Sequence, residues 1–393
     1  MLSTIYLDYN ATTTQLPEVA DAVREASLRY GANPGSQHEP GRQARRALEE
    51  AREKVGELLG ARMGGMSADQ VIFTSGGTEA NHLALFGLLT NPEQPADSSP
   101  AHLVLSSIEH PSIVEPIGRL ENQGWRVDRL PIDTNGVARH EELDQQLREN
   151  TRLVCLMLAN NETGVIQPVA KAAAWCVERR IALHTDAAQA VGKVPIDFSK
   201  LGVSTLSCAA HKFYGPVGIG ALIVRHGVSL RPTMWGGHQQ AGLRPGTEAV
   251  ALAVGMRTAL ECCERDFRRK SEHIASLRDQ LEQVILTEIP AAIVIGQLAD
   301  RLPNTLNIAL AGVDRQALVM ALDLAGVACS TGSACASGSS EPSPVLVAMG
   351  LDKRVIGGAI RLSLGVANTD AEIEEAGRRI LSVCKQLWQS SNL

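Results

Sequence analysis

The stretch IALHTDAAQAVGKVPIDFSKLGVSTLSCAAHKFYGPVGIGALIV, residues 181–224, decides the fold class. It begins and ends with short apolar runs, IALHTD and GALIV, which have the length and composition of buried strands. Similar runs occur upstream near Val71, His102 and Arg152, with helix-length amphipathic stretches between them. Strands that alternate with helices predict crossover units and a mostly parallel sheet, so we expect an α/β protein.

The length and composition predict two domains. The 393 residues are 44% apolar, and single hydrophobic cores stop growing at roughly 250 to 300 residues. After Thr247 the alternation of strands and helices gives way to a long helical stretch and then to several short strands. These strands are expected around Ile293, Thr305 and Arg361. The change predicts a domain boundary near residue 260. We therefore expect a large domain over residues 15–260 and a smaller α/β domain formed by residues 1–14 and 261–393.

Charge and cysteine content narrow the class of protein. The net charge of -6 comes from interleaved acids and bases without a basic stripe, so no direct nucleic-acid partner is expected. No basic segment precedes an apolar stretch near Met1, and no run of about 18 apolar residues occurs. The eight cysteines are scattered, unlike the dense framework of a small secreted domain. We therefore expect a cytoplasmic protein without a membrane span.

Two strand-end motifs contain the residue types of a cofactor site. SGGTEAN, residues 75–81, follows an apolar strand and opens a helix, where backbone N–H groups can approach an anion. An ordinary glycine-rich turn is the alternative. HTDAAQAVGK, residues 184–193, places Asp186 at a strand tip, where a carboxylate could keep a heteroaromatic nitrogen protonated, with Gln189 within reach of the same ligand. A helix-capping Asp is the alternative here.

The motif CAAHKFYGPVGIG, residues 208–220, favours the cofactor interpretation of both motifs. It places Lys212 in a partly apolar turn between two strands, where the loss of water favours the neutral amine that forms Schiff bases. A solvated surface lysine is the alternative, but His211, Tyr214 and three neighbouring glycines argue against it. An anion-binding loop, a strand-end Asp and a Schiff-base lysine together predict a pyridoxal-phosphate site.

Cys335 lies in the segment CSTGSACASGSSEPSPVL, residues 329–346, which has small and polar side chains on both sides of the thiol. Most cysteines are inert core residues, but this composition predicts an exposed loop whose thiol is a nucleophile that moves to its substrate. Cys329 follows the apolar AGVA and is interpreted as structural. Because no metal-ligand spacing surrounds it, no metal site is expected.

Arg361 stands in the apolar run AIRLSLG, where a lone guanidinium requires a carboxylate partner. That partner is either an Asp or Glu in a structural ion pair or the α-carboxylate of an amino-acid substrate, held by two parallel hydrogen bonds. With a pyridoxal-phosphate site predicted, binding of the substrate carboxylate is favoured.

Together these motifs resemble those of the cysteine desulfurases, fold-type I pyridoxal-phosphate enzymes of the class V aminotransferase superfamily. The resemblance covers nearly the whole chain, from IYLDYNATT (residues 5–13) and NPGSQHEPG (33–41) to RLSLG (361–365). The SGSAC loop followed by EPSPVL is similar to the long-loop class that serves iron-sulfur cluster assembly. The resemblance also implies a homodimer, in which Thr247 of RPGTEA is contributed to the cofactor across the interface.

The resemblance further implies a role for each matching residue. Lys212 matches the lysine that binds the cofactor covalently, and Cys335 matches the thiol that carries sulfur as a persulfide. His110 matches the imidazole that stacks on the cofactor ring and carries protons, and Asp186 matches the partner of the pyridinium nitrogen. The remaining matches are Gln189 for the phenolic oxygen, Asn161 for that oxygen and the substrate, Arg361 for the substrate carboxylate, and Gly77, Thr78 and His211 for the phosphate.

Two departures from the family pattern stand out. Ala209 replaces the hydroxyl residue that usually stands three positions before the lysine, so one phosphate hydrogen bond is expected to be missing, or supplied by Ser207 or water. GGHQQA, residues 236–241, replaces the usual GGGxER at the active-site entrance. Details of partner or substrate recognition are therefore expected to differ.

These matches predict an enzyme that converts L-cysteine to L-alanine. The sulfur would pass to Cys335 and then to an acceptor protein for iron-sulfur clusters, thio-cofactors or nucleic-acid modification. Selenocysteine lyase, with the same fold and cofactor, is the alternative enzyme, whereas a transaminase or kynureninase-like activity leaves the thiol loop unexplained. A non-catalytic cofactor-binding scaffold is the other alternative, supported only by Ala209 and the altered segment 236–241.

Overall fold

The computed structural model describes residues 4–89, 101–332 and 341–391. The strands are β1 (Ile5–Tyr6), β2 (Gln70–Thr74), β3 (His102–Ser106), β4 (Arg126–Leu130), β5 (Thr151–Cys155), β6 (Ala182–Asp186), β7 (Thr205–Ala209), β8 (Gly220–Val224), β9 (Ala292–Val294), β10 (Thr305–Leu310), β11 (Val327–Ala328) and β12 (Ala359–Ser363). The helices are α1 (Pro17–Arg29), α2 (Glu39–Leu58), α3 (Gly77–Leu89), α4 (Pro111–Asn122), α5 (Leu143–Gln146), α6 (Val169–Glu178), α7 (Phe198–Leu201), α8 (Val250–Glu264), α9 (Phe267–Glu288), α10 (Arg315–Leu324), α11 (Pro344–Ala348), α12 (Lys353–Gly357) and α13 (Asp370–Ser391). None of these helices is both long and apolar enough to cross a membrane.

Helix α2 illustrates how the local sequence produces these elements. Its first turn contains Pro40, whose fixed φ suits a helix start, and the His38 side chain accepts a hydrogen bond from the Gly41 N–H. Its larger buried side chains recur at intervals of three and four residues, at Ala44, Ala47, Leu48, Ala51 and Val55. This spacing places them on one face of the helix, which packs into the larger hydrophobic core.

The large sheet has seven strands in the order β2-β8-β7-β6-β5-β3-β4. Only β8 runs in the opposite direction to the other six strands. Strands β3, β7 and β8 are buried along their whole length, as expected when helices cover both faces of a sheet. The predicted α/β class with a mostly parallel sheet is confirmed. Because β2, β3, β5, β6 and β7 run in the same direction, their carboxyl ends lie at one edge of the sheet.

A second hydrophobic core forms around a three-stranded antiparallel sheet with the order β12-β10-β9. Helix α9 packs against α13 beside this sheet, whereas α8 packs against α1 and α2 of the larger core. Strand β1 pairs in parallel with β11, and this pairing brings the N-terminal segment to the second core.

The long helical stretch expected after Thr247 is two helices. Asp266, between α8 and α9, has a left-handed φ of 56°, and an L-residue in that conformation cannot continue a right-handed helix. The break lies close to the boundary predicted near residue 260. Val345 and Ile356 follow that boundary in the sequence but pack in the larger core. The division into two domains therefore stays a prediction.

Candidate active site

A cavity of about 230 Å³ opens at the carboxyl edge of the large sheet. It is lined by residues at or beyond the carboxyl ends of β2, β3, β5, β6 and β7, together with Asn10 from the segment after β1 and Arg361 from β12. Nine of the residues singled out in the sequence meet there. They are Gly77, Thr78, His110, Asn161, Asp186, Gln189, His211, Lys212 and Arg361.

Lys212 ends a short 3-10 turn, Ala210–Lys212, that follows β7. Its Nζ atom donates hydrogen bonds to the carbonyl oxygens of Asn10 at 2.7 Å and Ala11 at 2.8 Å. Both carbonyls belong to the segment after β1, about 200 positions away in the sequence. The fold therefore holds the amine at the cavity wall on two backbone acceptors.

Asp186 is the last residue of β6 and is buried. Its Oδ1 atom accepts a hydrogen bond from the Ala188 N–H at 2.8 Å, and Oδ2 accepts one from Asn81 Nδ2 at 2.7 Å. The bond to Ala188 closes a local turn, but residues 188–193 form turns and no helix begins at Ala187, so the helix-capping alternative is wrong. The carboxylate also lines the cavity, so the same side chain can meet a cationic ring nitrogen.

Asn81 is a site residue that the sequence analysis missed. Besides Asp186, its Nδ2 atom donates to Ser112 Oγ at 2.8 Å. Its Oδ1 atom accepts from His184 Nε2 at 3.0 Å and from the hydroxyl of Ser207. Burial lowers the pKa of His184 to about 4, so this ring is neutral near pH 7. These hydrogen bonds fix the position of the Asp186 carboxylate. The sequence signal that could have identified Asn81 is its place as the last residue of the SGGTEAN motif.

The N-terminus of α3 supplies an anion-binding wall. Gly77 and Thr78 lie in its first turn and line the cavity, where unpaired backbone N–H groups and the helix dipole favour negative charge. His211 lies on the same cavity and contacts Thr12 Oγ1 through Nδ1 at 3.2 Å. Burial, and then the charge of Lys212, lowers the pKa of His211 to about 4, so it acts there as a neutral hydrogen-bonding group.

Ser207 does not replace the hydroxyl that Ala209 lacks. The Ser207 hydroxyl is buried and donates to Asn81, so it is committed to the network behind Asp186. Ala209 itself lines the cavity, and a Cβ atom added to Gly77 would lie 3.5 Å from the Ala209 side chain. The suggestion that Ser207 supplies the missing phosphate contact is therefore not supported.

His110 caps the start of α4. Its Nδ1 atom accepts a hydrogen bond from the Ser112 N–H at 3.1 Å and lies 2.8 Å from Ser112 Oγ. Burial lowers the pKa of His110, although the charge of Asp186 acts in the opposite direction. The ring is therefore neutral near pH 7, with its proton on Nε2 because Nδ1 is an acceptor.

Arg361 is 1% exposed, on β12. Its Nη2 atom donates to Asp8 Oδ1 at 2.6 Å, and Nη1 donates to the carbonyl oxygens of Asn161 at 2.9 Å and Gly332 at 3.3 Å. The first alternative from the sequence, a structural carboxylate partner, is thus present, and Arg361 also lines the cavity, whereas binding of a substrate carboxylate stays a prediction. Its Nε atom has no hydrogen-bond partner among the described residues, so donor capacity remains.

Two of the predicted residues do not meet at this cavity in the described chain. Thr247 is exposed and lies elsewhere on the surface. Cys335 lies outside the described residues, although Gly332, which precedes that segment, contacts Arg361. Among the described side chains, no cluster of three His, Cys, Asp or Glu residues would hold a metal ion.

The altered segment 236–241 has a structural role that its sequence did not reveal. Gln240 has a φ of 49°, a conformation that costs free energy for a residue with a side chain. Its amide accepts from the Phe73 N–H and donates to the Phe73 carbonyl oxygen, both at 2.7 Å. Arg52 Nη1 also donates to Gln240 Oε1, at 2.9 Å. Gln240 therefore fastens this segment to the edge strand β2.

Comparisons with known proteins agree with the geometry. The aminotransferase class-V family model matches residues 5–375. The cysteine desulfurase IscS of Dictyoglomus turgidum is 39% identical over 369 residues, covering 94% of this chain and 91% of that protein. The solved structure of a NifS-like protein is 33% identical, with a TM-score of 0.89 and coverage of 98% and 100% of the two chains. The structure of SspA in complex with cysteine is 31% identical, with a TM-score of 0.78 and coverage of 92% and 99%. The chain therefore belongs to the class-V aminotransferases and, within them, to the cysteine desulfurases.

Proposed function

We propose that this protein is a pyridoxal-phosphate-dependent cysteine desulfurase that converts L-cysteine to L-alanine and transfers the sulfur to a cysteine of its own chain. The observation that carries the proposal is the convergence of an amine, a carboxylate and a guanidinium, from Lys212, Asp186 and Arg361, on one cavity. The similar structure of SspA in complex with cysteine supports cysteine as the substrate.

The donor set of the cavity fits pyridoxal phosphate. Asp186 offers a carboxylate to a protonated ring nitrogen, the α3 N-terminus with Gly77 and Thr78 offers donors to a phosphate, and Lys212 offers an amine to a carbonyl carbon. Bound there, the cofactor supplies an electron sink that stabilises negative charge on the α-carbon of an amino acid.

Arg361 orients the substrate by its carboxylate. The guanidinium is held by Asp8 and by the Asn161 carbonyl oxygen, and Arg361 lines the cavity. Because these contacts fix its plane in advance, a carboxylate that binds it loses little further freedom.

We expect Arg361→Lys to keep the charge opposite Asp8 but to lose the bidentate geometry. The loss of one charge-assisted hydrogen bond lowers kcat/KM for L-cysteine by roughly tenfold to a hundredfold, with little change in cofactor content. Steady-state kinetics and the absorbance of the bound cofactor measure the two effects. Arg301→Lys is the matched control, because the Arg301 side chain is only 8% exposed and forms an ion pair 3.0 Å from Glu282, but Arg301 does not line the cavity. An unchanged kcat/KM in Arg361→Lys would contradict this role.

His110 moves the proton in the proposed reaction. The neutral imidazole lines the cavity and exchanges one proton with the bound substrate, taking back the proton that it gives, so the ring is unchanged after each turnover. Ser112 Oγ, 2.8 Å from Nδ1, orients the ring. The buried neighbour Glu109, whose pKa burial raises to about 7, holds the segment that follows β5 by accepting a hydrogen bond from the Met157 N–H at 2.7 Å.

Sulfur transfer is assigned to the Cys335 thiolate. It attacks the sulfur of cysteine, a new S–S bond forms as the Cβ–S bond breaks, and the carbon skeleton takes a proton and leaves as alanine. The atoms balance as cysteine plus enzyme thiol giving alanine plus enzyme persulfide. The seven described cysteines are poor rivals, because burial raises the pKa of each of them. They are Cys155, Cys176, Cys208, Cys262, Cys263, Cys329 and Cys384.

The biological setting belongs to the same proposal. The name IscS among the relatives and the similarity to the long-loop class support delivery of sulfur to an acceptor protein for iron-sulfur cluster assembly. The exposed position of Thr247 is compatible with a homodimer in which this residue reaches the partner's cofactor. The cytoplasm, where thiols stay reduced, suits a persulfide carrier with only unpaired cysteines among its described residues.

One incubation tests the proposed function. Purified protein loaded with pyridoxal phosphate is mixed with L-cysteine, and alanine, sulfide and the mass of the Cys335 peptide are measured. We expect one alanine for each sulfur released or bound, and one added sulfur atom on that peptide. Cofactor binding without any alanine would leave a non-catalytic scaffold as the better description. Turnover of selenocysteine alone would favour a selenocysteine lyase.

A further inference from the structure

We propose that Lys193 is a positioning residue of the cofactor site, which fixes the amide of Gln189 so that its N–H group faces the phenolic oxygen of the cofactor. The inference rests on the proposed function, because it assigns a task to a residue behind the same cavity. Lys193 ends the motif HTDAAQAVGK and does not itself line that cavity.

The orientation of the Gln189 amide follows from its neighbours. Nε2 lies 3.0 Å from the carbonyl oxygen of Asn10, which can only accept, so the amide nitrogen must be on that side. Oε1 then faces Lys193 Nζ at 2.7 Å, and Lys193 donates to it. The second hydrogen of Nε2 remains for the cavity, which Gln189 lines. Lys193 therefore makes Gln189 a donor toward the ligand.

The same lysine also orients Asn10, which holds Lys212. Lys193 Nζ donates to Asn10 Oδ1 at 3.2 Å. Asn10 is 1% exposed, and its carbonyl oxygen accepts from both Lys212 and Gln189. Its Nδ2 atom donates to the carbonyl oxygen of Asn161 at 3.2 Å. Lys193 thus supports two side chains that would contact the cofactor, through one shared residue.

A lysine in this place is costly. Lys193 is only 9% exposed, and burial followed by the charges of Lys212 and Arg361 holds its pKa well below the usual value. The surroundings of Lys193 would also accept an apolar side chain. The hydrogen bonds from Lys193 to Gln189 and Asn10 explain why a lysine stands there instead. Lys193 borders a separate, mainly apolar cavity of about 210 Å³ that is also lined by Tyr214, so a methionine has room to pack there.

Removal of the lysine frees the Gln189 amide to turn. A hydrogen bond from Gln189 stabilises the ionised phenolic oxygen, so its loss should raise the pH at which the absorbance of the bound cofactor titrates. We expect Lys193→Met to shift this midpoint upward by about one pH unit, as the loss of a hydrogen bond to a charged group implies.

A double-mutant cycle on the holoprotein tests the inference by absorbance titration. Gln189→Met should shift the midpoint upward as Lys193→Met does, and Lys193→Met should add almost nothing in the Gln189→Met background, because both act through one hydrogen bond. Lys193→Arg, which keeps a donor, should restore part of the wild-type midpoint. Lys200→Met is the control, since the Lys200 side chain is 83% exposed.

The outcomes separate this inference from the proposed function. An unchanged midpoint in either single variant, or additive shifts in the double variant, would overturn the role of Lys193. Additive shifts would mean that Lys193 acts by its charge alone. Wild-type protein that binds no pyridoxal phosphate would overturn the proposed function together with the inference. Alanine formation with additive shifts would overturn only the inference.

Discussion

Cys335→Ser retains bound pyridoxal phosphate and still binds L-cysteine, while persulfide formation and sulfur release fall by roughly a thousandfold or more. Cofactor and substrate binding survive because they depend on Lys212, Asp186 and Arg361, which the substitution leaves in place. Sulfur transfer fails because a serine hydroxyl is almost never ionised near neutral pH, whereas a thiolate is the nucleophile the reaction needs. Alanine production, sulfide release and peptide mass after incubation with cysteine measure the effect.

Cys329→Ser is the matched control for this result. Cys329 is the nearest described cysteine in the sequence and packs against the second core. Burial raises its pKa to about 12, so the thiol is almost entirely protonated at pH 8. We expect this variant to keep most of the wild-type activity. A persulfide found on Cys329, or full activity in Cys335→Ser, would refute the assignment of the sulfur carrier.

Lys212→Ala is expected to lower turnover of L-cysteine by roughly a thousandfold or more, because no other lysine in the described part of the chain lines the cavity. In the wild type, borohydride reduction should link the cofactor to the peptide that contains Lys212. The variant should yield no such peptide, although the phosphate and ring contacts of Thr78 and Asp186 can still retain cofactor without a covalent bond.

Mass spectrometry of digested, reduced protein and the rate of alanine formation measure both parts of this prediction. Lys171→Ala is the control, because Lys171 is an exposed lysine on α6 and lies outside the cavity. Recovery of the reduced cofactor on another lysine of the wild type, with Lys212 unmodified, would show that the assignment is wrong.

Much of the site was predictable because most of its functional residues lie in short sequence motifs. A buried strand followed by Asp186, a glycine-rich turn with Gly77, and Lys212 between two strands each give a recognisable run of residues. In a parallel sheet the carboxyl ends of strands meet at one edge. Strand-end residues such as His110 and Asn161 could therefore be grouped before any distance was known.

The supporting residues could not be predicted in the same way. Asn10 meets Lys212 across 202 positions of sequence, and Arg361 meets Asp8 across 353. Neither an asparagine nor an aspartate within a short motif signals which distant group it will contact. The phosphate contact suggested for Ser207 is not supported for the same reason, since its hydroxyl donates to Asn81, 126 positions away.

By itself, the sequence determined the α/β class, the mostly parallel sheet, the family resemblance and the residue types that converge on the cavity, because periodicity and motif spacing are local properties of the chain. Only the tertiary structure decided the helix break at Asp266, the structural carboxylate partner of Arg361, and the hydrogen bonds by which Lys193 and Asn10 orient Gln189. The physical reason is that burial and hydrogen-bond direction depend on which distant segments meet. A buried polar group must then find its partners among whatever side chains and carbonyls the fold brings beside it.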